Sequence, residues 1–198
     1  MDFPTLDGNR TTSVLLRNGP EPTAWRLDAV GGKPRPLDQK DLFAPLASGI
    51  DYSAFDALMP FVHWQNFSYR GSGRVIGRPA HLFECVPPEE VKEARPDLKY
   101  VRVAVDDAYN ALLRVEFFGN RGVVDRKFSV VGFKKVRSGE DAYWIVKTID
   151  LVDTRSRDKT RLRIEAAAVN LSLGPDTFRK ENLARSPQIP KEEFIFFD

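Results

Sequence analysis

Cysteine occurs once in the 198 residues, and histidine and methionine twice each. A single thiol builds neither an internal disulfide framework nor a cysteine-only metal site, and it suits a reducing or an oxidising compartment equally. Long apolar runs are missing too. Nothing approaches the roughly 18 residues of a membrane-crossing helix, and the start, MDFPTLDGNR, lacks the basic flank and apolar core of a signal peptide. Either the chain is cytosolic or a leader has been removed. Excess charge is absent as well: 30 Lys and Arg against 28 Asp and Glu leave +2, too little to predict nucleic-acid binding from charge alone. What is present is 42% hydrophobic, 11% aromatic and 29% charged residues. This is the composition of an ordinary globular protein, and residues 1–198 suit one domain.

The dominant hydrophobic period is two, so the chain reads as mainly β. TSVLLR (12–17) and TAWRLDAV (23–30) flank NGPEP, a hairpin connection. Residues 31–49 carry three prolines and three glycines and predict a loop with at most a short turn of helix. A helix start follows: Ser53 caps, Asp56 completes a capping box, and Phe55, Leu58, Met59 and Val62 share one face until Pro60 cuts the helix. From residue 63 onward HWQNFSYRGSGRVI, HLFECV, YVRVAVD, ALLRVEFF, VVDRKFSVVGFKKV, AYWIVKTIDLV and TRLRIEAAAVNLSL read as strands. The connections RP, DAYN, GNRG, RSGED and DTRSRDK are hairpin-sized, and PPEEVKEARPDL is longer. The expectation is a curved antiparallel sheet or partial barrel, with Gly71, Gly73 and Gly132 as bends or bulges. Trp144 and Val146 alternate with Tyr143, Ile145, Ile149 and Leu151, so both faces of that strand are partly apolar and something must cover the second.

Reactive chemistry finds little support. In GRPAHLFECV, with Arg78 and Pro79 as the turn, His81, Phe83 and Cys85 share a strand face. Four strand positions span roughly 13 Å, too far for a thiol and its base. His63, the other histidine, adds no fourth metal ligand, so Cys85 reads as a small packing residue and neither a metal nor a cofactor is expected. No G-x-S-x-G, P-loop, H-E-x-x-H or dinucleotide fingerprint occurs, and GSGRVIG (71–77) leads into no helix. Glu84, Asp106, Asp107 and Glu116 could pair as a hydrolase acid and nucleophile, but solvated strand carboxylates are commoner. RSRDKTRLR (155–163) gathers Arg155, Arg157, Lys159, Arg161 and Arg163. That patch could meet phosphate headgroups, an acidic partner or RNA, yet a solvated turn and outer face is the favoured reading. Lys127 and Lys134 add basic surface without an aromatic stacking array, which argues against nucleic acid.

Several segments carry a family pattern: Asp51-Tyr52-Ser53 at the helix start, Gly77-Arg78-Pro79 leading to Phe83-Glu84, and Val105-Asp106 closing a strand. Lys159-Thr160-Arg161-Leu162 with Ile164, and finally Phe178 with Leu183, complete it. Over about residues 49–184 the chain resembles the outer-membrane lipoprotein-sorting proteins of the LolA/LolB-like superfamily. That resemblance implies an antiparallel half-barrel with a helical lid over an apolar concavity, no catalytic residues, and a periplasmic or cell-envelope location. The family's leader and long N-terminal helix are not visible here, and a truncated N-terminal portion is one reading of that difference. The implied role is a monomeric carrier of lipoprotein acyl chains or another hydrophobic ligand, and the alternative is an envelope protein-interaction or sensor module with no transported ligand. Candidates for the cavity lining are Phe55, Leu58, Met59, Phe61, Trp64, Phe117, Phe133 and Trp144.

Overall fold

The alternating segments of the N-terminal quarter pair as their turn residues direct. A computed structural model describes residues 2–4, 11–28, 32–185 and 189–197. Two compact units divide it, Met1–His63 with Leu171–Pro190, and Trp64–Asn170 with Lys191–Asp198. In the first, β1 (Asp2–Pro4), β2 (Thr11–Arg17), β3 (Thr23–Leu27) and β4 (Arg35–Pro36) form an antiparallel sheet in chain order. The predicted NGPEP hairpin joins β2 to β3 with Leu15 opposite Trp25. The proline- and glycine-rich stretch that follows supplies the short edge strand β4 and then α1 (Gln39–Leu42), capped by the Asp38 carboxylate, which accepts from the Asp41 N–H at 2.7 Å.

The capping box predicted at Ser53 forms and starts α2 (Ala54–Leu58). Ser53 Oγ accepts from the Asp56 N–H at 3.2 Å, and Asp56 Oδ2 accepts from the Ser53 N–H at 2.8 Å, so two orphan donors are satisfied reciprocally. Met59 closes the helix in the left-handed region at φ 46° and Pro60 opens a 3-10 turn to His63. Only half of the expected apolar stripe is buried: Phe55 and Leu58 are all but solvent-free, whereas Met59 is half-buried and Val62 is exposed because the helix ends at Leu58. Phe61 is buried instead, and the Phe55 ring lies 4.4 Å from Phe43 and 6.1 Å from Phe61.

The second unit is a meander. Its seven strands are β5 (Phe67–Val75), β6 (Arg78–Cys85), β7 (Leu98–Asp106), β8 (Leu112–Gly119), β9 (Val124–Ser138), β10 (Asp141–Asp153) and β11 (Lys159–Arg163). They lie in consecutive antiparallel order, and among the described residues β5 and β11 have no further strand partner, so the sheet is not closed. Four details correct the sequence expectation. First, the β5–β6 turn is Ile76-Gly77, at φ 50° and 77°, whereas Arg78 and Pro79 already pair with Val75 and Arg74. A two-residue loop of this hand needs positive φ at both positions, which proline's ring forbids. Second, PPEEVKEARPDL contains a helix, α3 (Glu89–Ala94), with Val91 buried. Third, β5 begins at Phe67 rather than at His63. Fourth, TRLRIEAAAVNLSL is not one strand: β11 stops at Arg163, and β12 (Ala166–Ala167) pairs instead with β13 (Ile195–Phe196). Three successive alanines give a strand little side-chain surface with which to hold the sheet.

Two of the three strand glycines sit at irregularities. The β5–β6 register shifts between Tyr69 and Ser72, around Gly71 at φ 97°, and the β9–β10 ladder is disturbed where Gly132 meets Thr148. Gly73 pairs in register with Ala80 and makes no bulge.

Alternation gives the sheet two unlike faces. One carries Cys85, Val101 and Phe117 in a row, then Phe83, Val103, Val115, Phe128 and Leu151. Of these, Val101, Val103, Val115, Phe117, Phe128 and Leu151 are all buried, so this is the core face. The other is mixed. Its first row is Glu84, Arg102, Glu116 and Lys127, and its second is Leu82, Ala104, Arg114, Ser129, Asp150 and Arg161.

Candidate functional site

Beyond those two rows the mixed face becomes aromatic. Phe133 on β9 lies opposite Val146, and Trp144 on β10 lies opposite Lys135. Phe133 packs against a buried cluster of Val75, Ala80, Ala104 and Leu113, while Trp144 remains 58% exposed. With Arg78, Tyr109 and Ala111 they line a half-open, mainly apolar pocket of about 170 Å³.

The polar side of this pocket is organised by Asp106, the last residue of β7. Its carboxylate is buried and accepts from the backbone N–H groups of Ala108 at 3.0 Å and Tyr109 at 2.9 Å, and from Arg78 Nε. The β7–β8 turn therefore wraps around the carboxylate, with Asn110 at φ 51° letting the chain reverse. The Arg78 guanidinium, foremost, and then the two backbone donors hold the Asp106 carboxyl below the usual carboxylate range. Arg78 also stands 5.3 Å over the Tyr109 ring. One buried carboxylate thus fixes both the cation and the aromatic ring of the pocket mouth.

The structure brings together two of the eight cavity candidates, Phe133 and Trp144. Phe117 is buried on the core face opposite Val101 and Arg126, and Trp64 is half-buried before β5. Phe55, Leu58 and Phe61 are buried in the first unit, with Met59 half-buried at the C-cap of α2. Sequence reasoning missed Arg78, Tyr109 and Ala111. Their signal was present in the strand-closing Asp106 followed by DAYN, since an aspartate at a turn captures backbone donors two and three residues on.

The remaining candidates resolve into ion pairs. Of the basic stretch, Arg155 pairs with Asp125, and Lys159 and Arg161 both meet Asp150, with Arg161 Nε and a terminal guanidinium nitrogen at 2.6 and 2.8 Å. Asp150 is pushed down to about 2, chiefly by the Arg161 hydrogen bonds. Arg157 and Arg163 are exposed and make no ion pair among the described residues. The four carboxylates considered for hydrolysis are each matched to a base: Glu84 to Arg70 and Arg102, Asp106 to Arg78, Asp107 to His81, and Glu116 to Arg102. His81 Nε2 lies 2.6 Å from Asp107 and Nδ1 3.2 Å from the Tyr69 hydroxyl. Cys85 is a buried free thiol, and burial pushes its pKa up, away from the reactive thiolate. No group of three or more metal-ligating side chains occurs among the described residues.

Seven consecutive antiparallel strands with two open edges and unlike faces make this a LolA-like fold, and solved structures agree. A domain from Vibrio parahaemolyticus assigned to outer membrane lipoprotein sorting matches with TM-score 0.71 and 16% identity, covering 89% of this chain and 72% of that one. A DUF1329 family protein from Desulfovibrio piger matches with TM-score 0.63 and 17% identity, covering 92% and 80%. A LolA superfamily protein from Nitrosomonas europaea gives TM-score 0.51 and 11% identity over 78% and 74%. The chain belongs to a family whose model, described as "-like: Uncharacterized protein", matches residues 47–185. No curated protein sequence matches the chain.

Proposed function

We propose that this chain is a non-enzymatic carrier of the bacterial envelope, periplasmic and monomeric, that binds lipoprotein acyl chains or another hydrophobic ligand. The observation that supports this reading most directly is the half-open aromatic pocket on a LolA-like sheet, with Trp144 left exposed beside the anchored Phe133. Apolar burial at about 25 cal/mol per Å² supplies the affinity of such a site, and no directed chemistry is needed. At about 170 Å³ the pocket is small beside the roughly 300–1,000 Å³ usual for ligand sites. It accepts one ring or a short length of a single chain. A multi-chain lipid requires further apolar surface.

The test is native mass spectrometry of the purified protein for co-purified lipid, followed by displacement of a fluorescent fatty acid. Saturable, displaceable binding supports the carrier; no bound lipid and no saturable signal in the full-length protein exclude it.

A second reading, an envelope protein-interaction or sensor module, draws on the β5 edge. Phe67 and Tyr69 on that open strand are 59% and 54% exposed, and an unpaired edge can accept a partner strand. Capture of an envelope protein that survives saturation with fatty acid favours this reading over the carrier.

A further inference from the structure

We infer that the Arg78 pocket selects a single-chain amphiphile with an anionic carboxylate head. This rests on the ligand-binding reading above and specifies its ligand class. Arg78 spends Nε on Asp106, and among the described residues no acceptor hydrogen-bonds its terminal guanidinium nitrogens. Arg78 lines an otherwise mainly apolar slot, where a planar fork is matched to a carboxylate. Asp106 does not repel such a ligand strongly, because it is buried and three N–H groups already point at it. Asp107, the next acid along the chain, is engaged by His81. The exposed Lys135, the cross-strand partner of Trp144, adds a second positive charge on the same face. Arg78 therefore orients the head while Phe133, Trp144 and Tyr109 hold the chain. The slot's small volume limits the ligand to one chain at this point.

Octanoate, octanol and octylammonium, each below its micelle concentration, separate head from tail. Titrated into the full chain, with tryptophan fluorescence and calorimetry as readouts, octanoate should bind roughly tenfold or more tighter than octanol, and octylammonium weakest, since a charge-assisted hydrogen bond is worth a factor of that order. Arg78→Gln should reduce the octanoate-to-octanol ratio by roughly 10- to 100-fold, and Arg78→Lys, which keeps the charge but loses the fork, should restore part of it. Circular dichroism and the melting midpoint identify a variant that fails to fold, and the wild-type head-group series stands without any variant. The inference is overturned if octanoate and octanol bind within twofold of each other, or if folded Arg78→Gln keeps the preference. Saturable octanol or fluorescent fatty-acid binding with no preference for the anion removes this inference and leaves the carrier reading intact. Failure of all these ligands to bind removes both.

Discussion

At one end of the mixed face Arg102 lies between two carboxylates, 2.7 Å from Glu84 and 4.0 Å from Glu116, with its guanidinium 4.6 Å over the Phe118 ring. At the other end Arg78 meets one carboxylate and one ring, and then a pocket. The first arginine is flanked by opposite charge: Glu84, foremost, raises its pKa, and Arg70 approaches the other Glu84 oxygen at 3.0 Å to continue the network. The second is held by one edge only. A charged group set between two carboxylates of the sheet is architecture, whereas one with a single carboxylate and an apolar hollow beside it is poised to meet something the chain does not contain.

Substitutions can break or sharpen that contrast. The largest effect belongs to neither end but to the core face, which sets the scale: Phe117→Ala, emptying a buried ring site, should cost about 3–5 kcal/mol in urea unfolding. Next, at the Arg102 end, Glu84→Gln removes the charge that ion-pairs with Arg70 and weakens the hydrogen bond from Arg102. A loss of about 1–3 kcal/mol is expected; a neutral result would mean that this network is as dispensable as the pocket.

Acid probes the same half of the face. Asp150 titrates near 3.8 when unfolded and at about 2 when folded, so its contribution is complete above the unfolded value and is lost as pH falls through the folded one. The melting midpoint should decline between about pH 4 and pH 2, and Asp150→Asn should flatten that part of the profile. The smallest effect on stability is expected at the pocket: Trp144→Ala should change unfolding free energy by no more than about 0.5 kcal/mol, because the ring is already 58% exposed. The same change should abolish most of the fluorescence response to octanoate. A large loss of stability instead would place Trp144 with Arg102, among the structural residues.

The sequence made the hairpins, the capping box at Ser53 and the opposition of His81, Phe83 and Cys85 to Leu82 and Glu84 legible, because each depends on neighbours a few residues apart. The motif resemblance over 49–184 anticipated almost the segment that the family model matches, 47–185. The pocket was half legible. Phe133 and Trp144 could be named as large apolar residues, but Arg78 and Asp106 meet across 28 residues of chain. Their meeting depends on an irregularity between Ala104 and Val105 and on where the β5–β6 turn begins. A one-residue difference in either register turns a side chain to the opposite face. The break after Arg163 was hidden for another reason: Ile164 donates to the Lys147 carbonyl at 2.9 Å, beside the disturbed β9–β10 ladder, and the chain then leaves the sheet.

Because the seven-stranded sheet stays open, β5 exposes a row of backbone donors and acceptors onto which a second copy of the chain could crystallise, strand by strand, into an aggregate. Gly71 lies in the middle of that nine-residue strand, at the register shift, and leaves only four residues on either side. Neither half offers an incoming strand a long, uninterrupted template. The irregularity that looks like a defect in pairing thus shortens the template that this open edge could offer to a second chain.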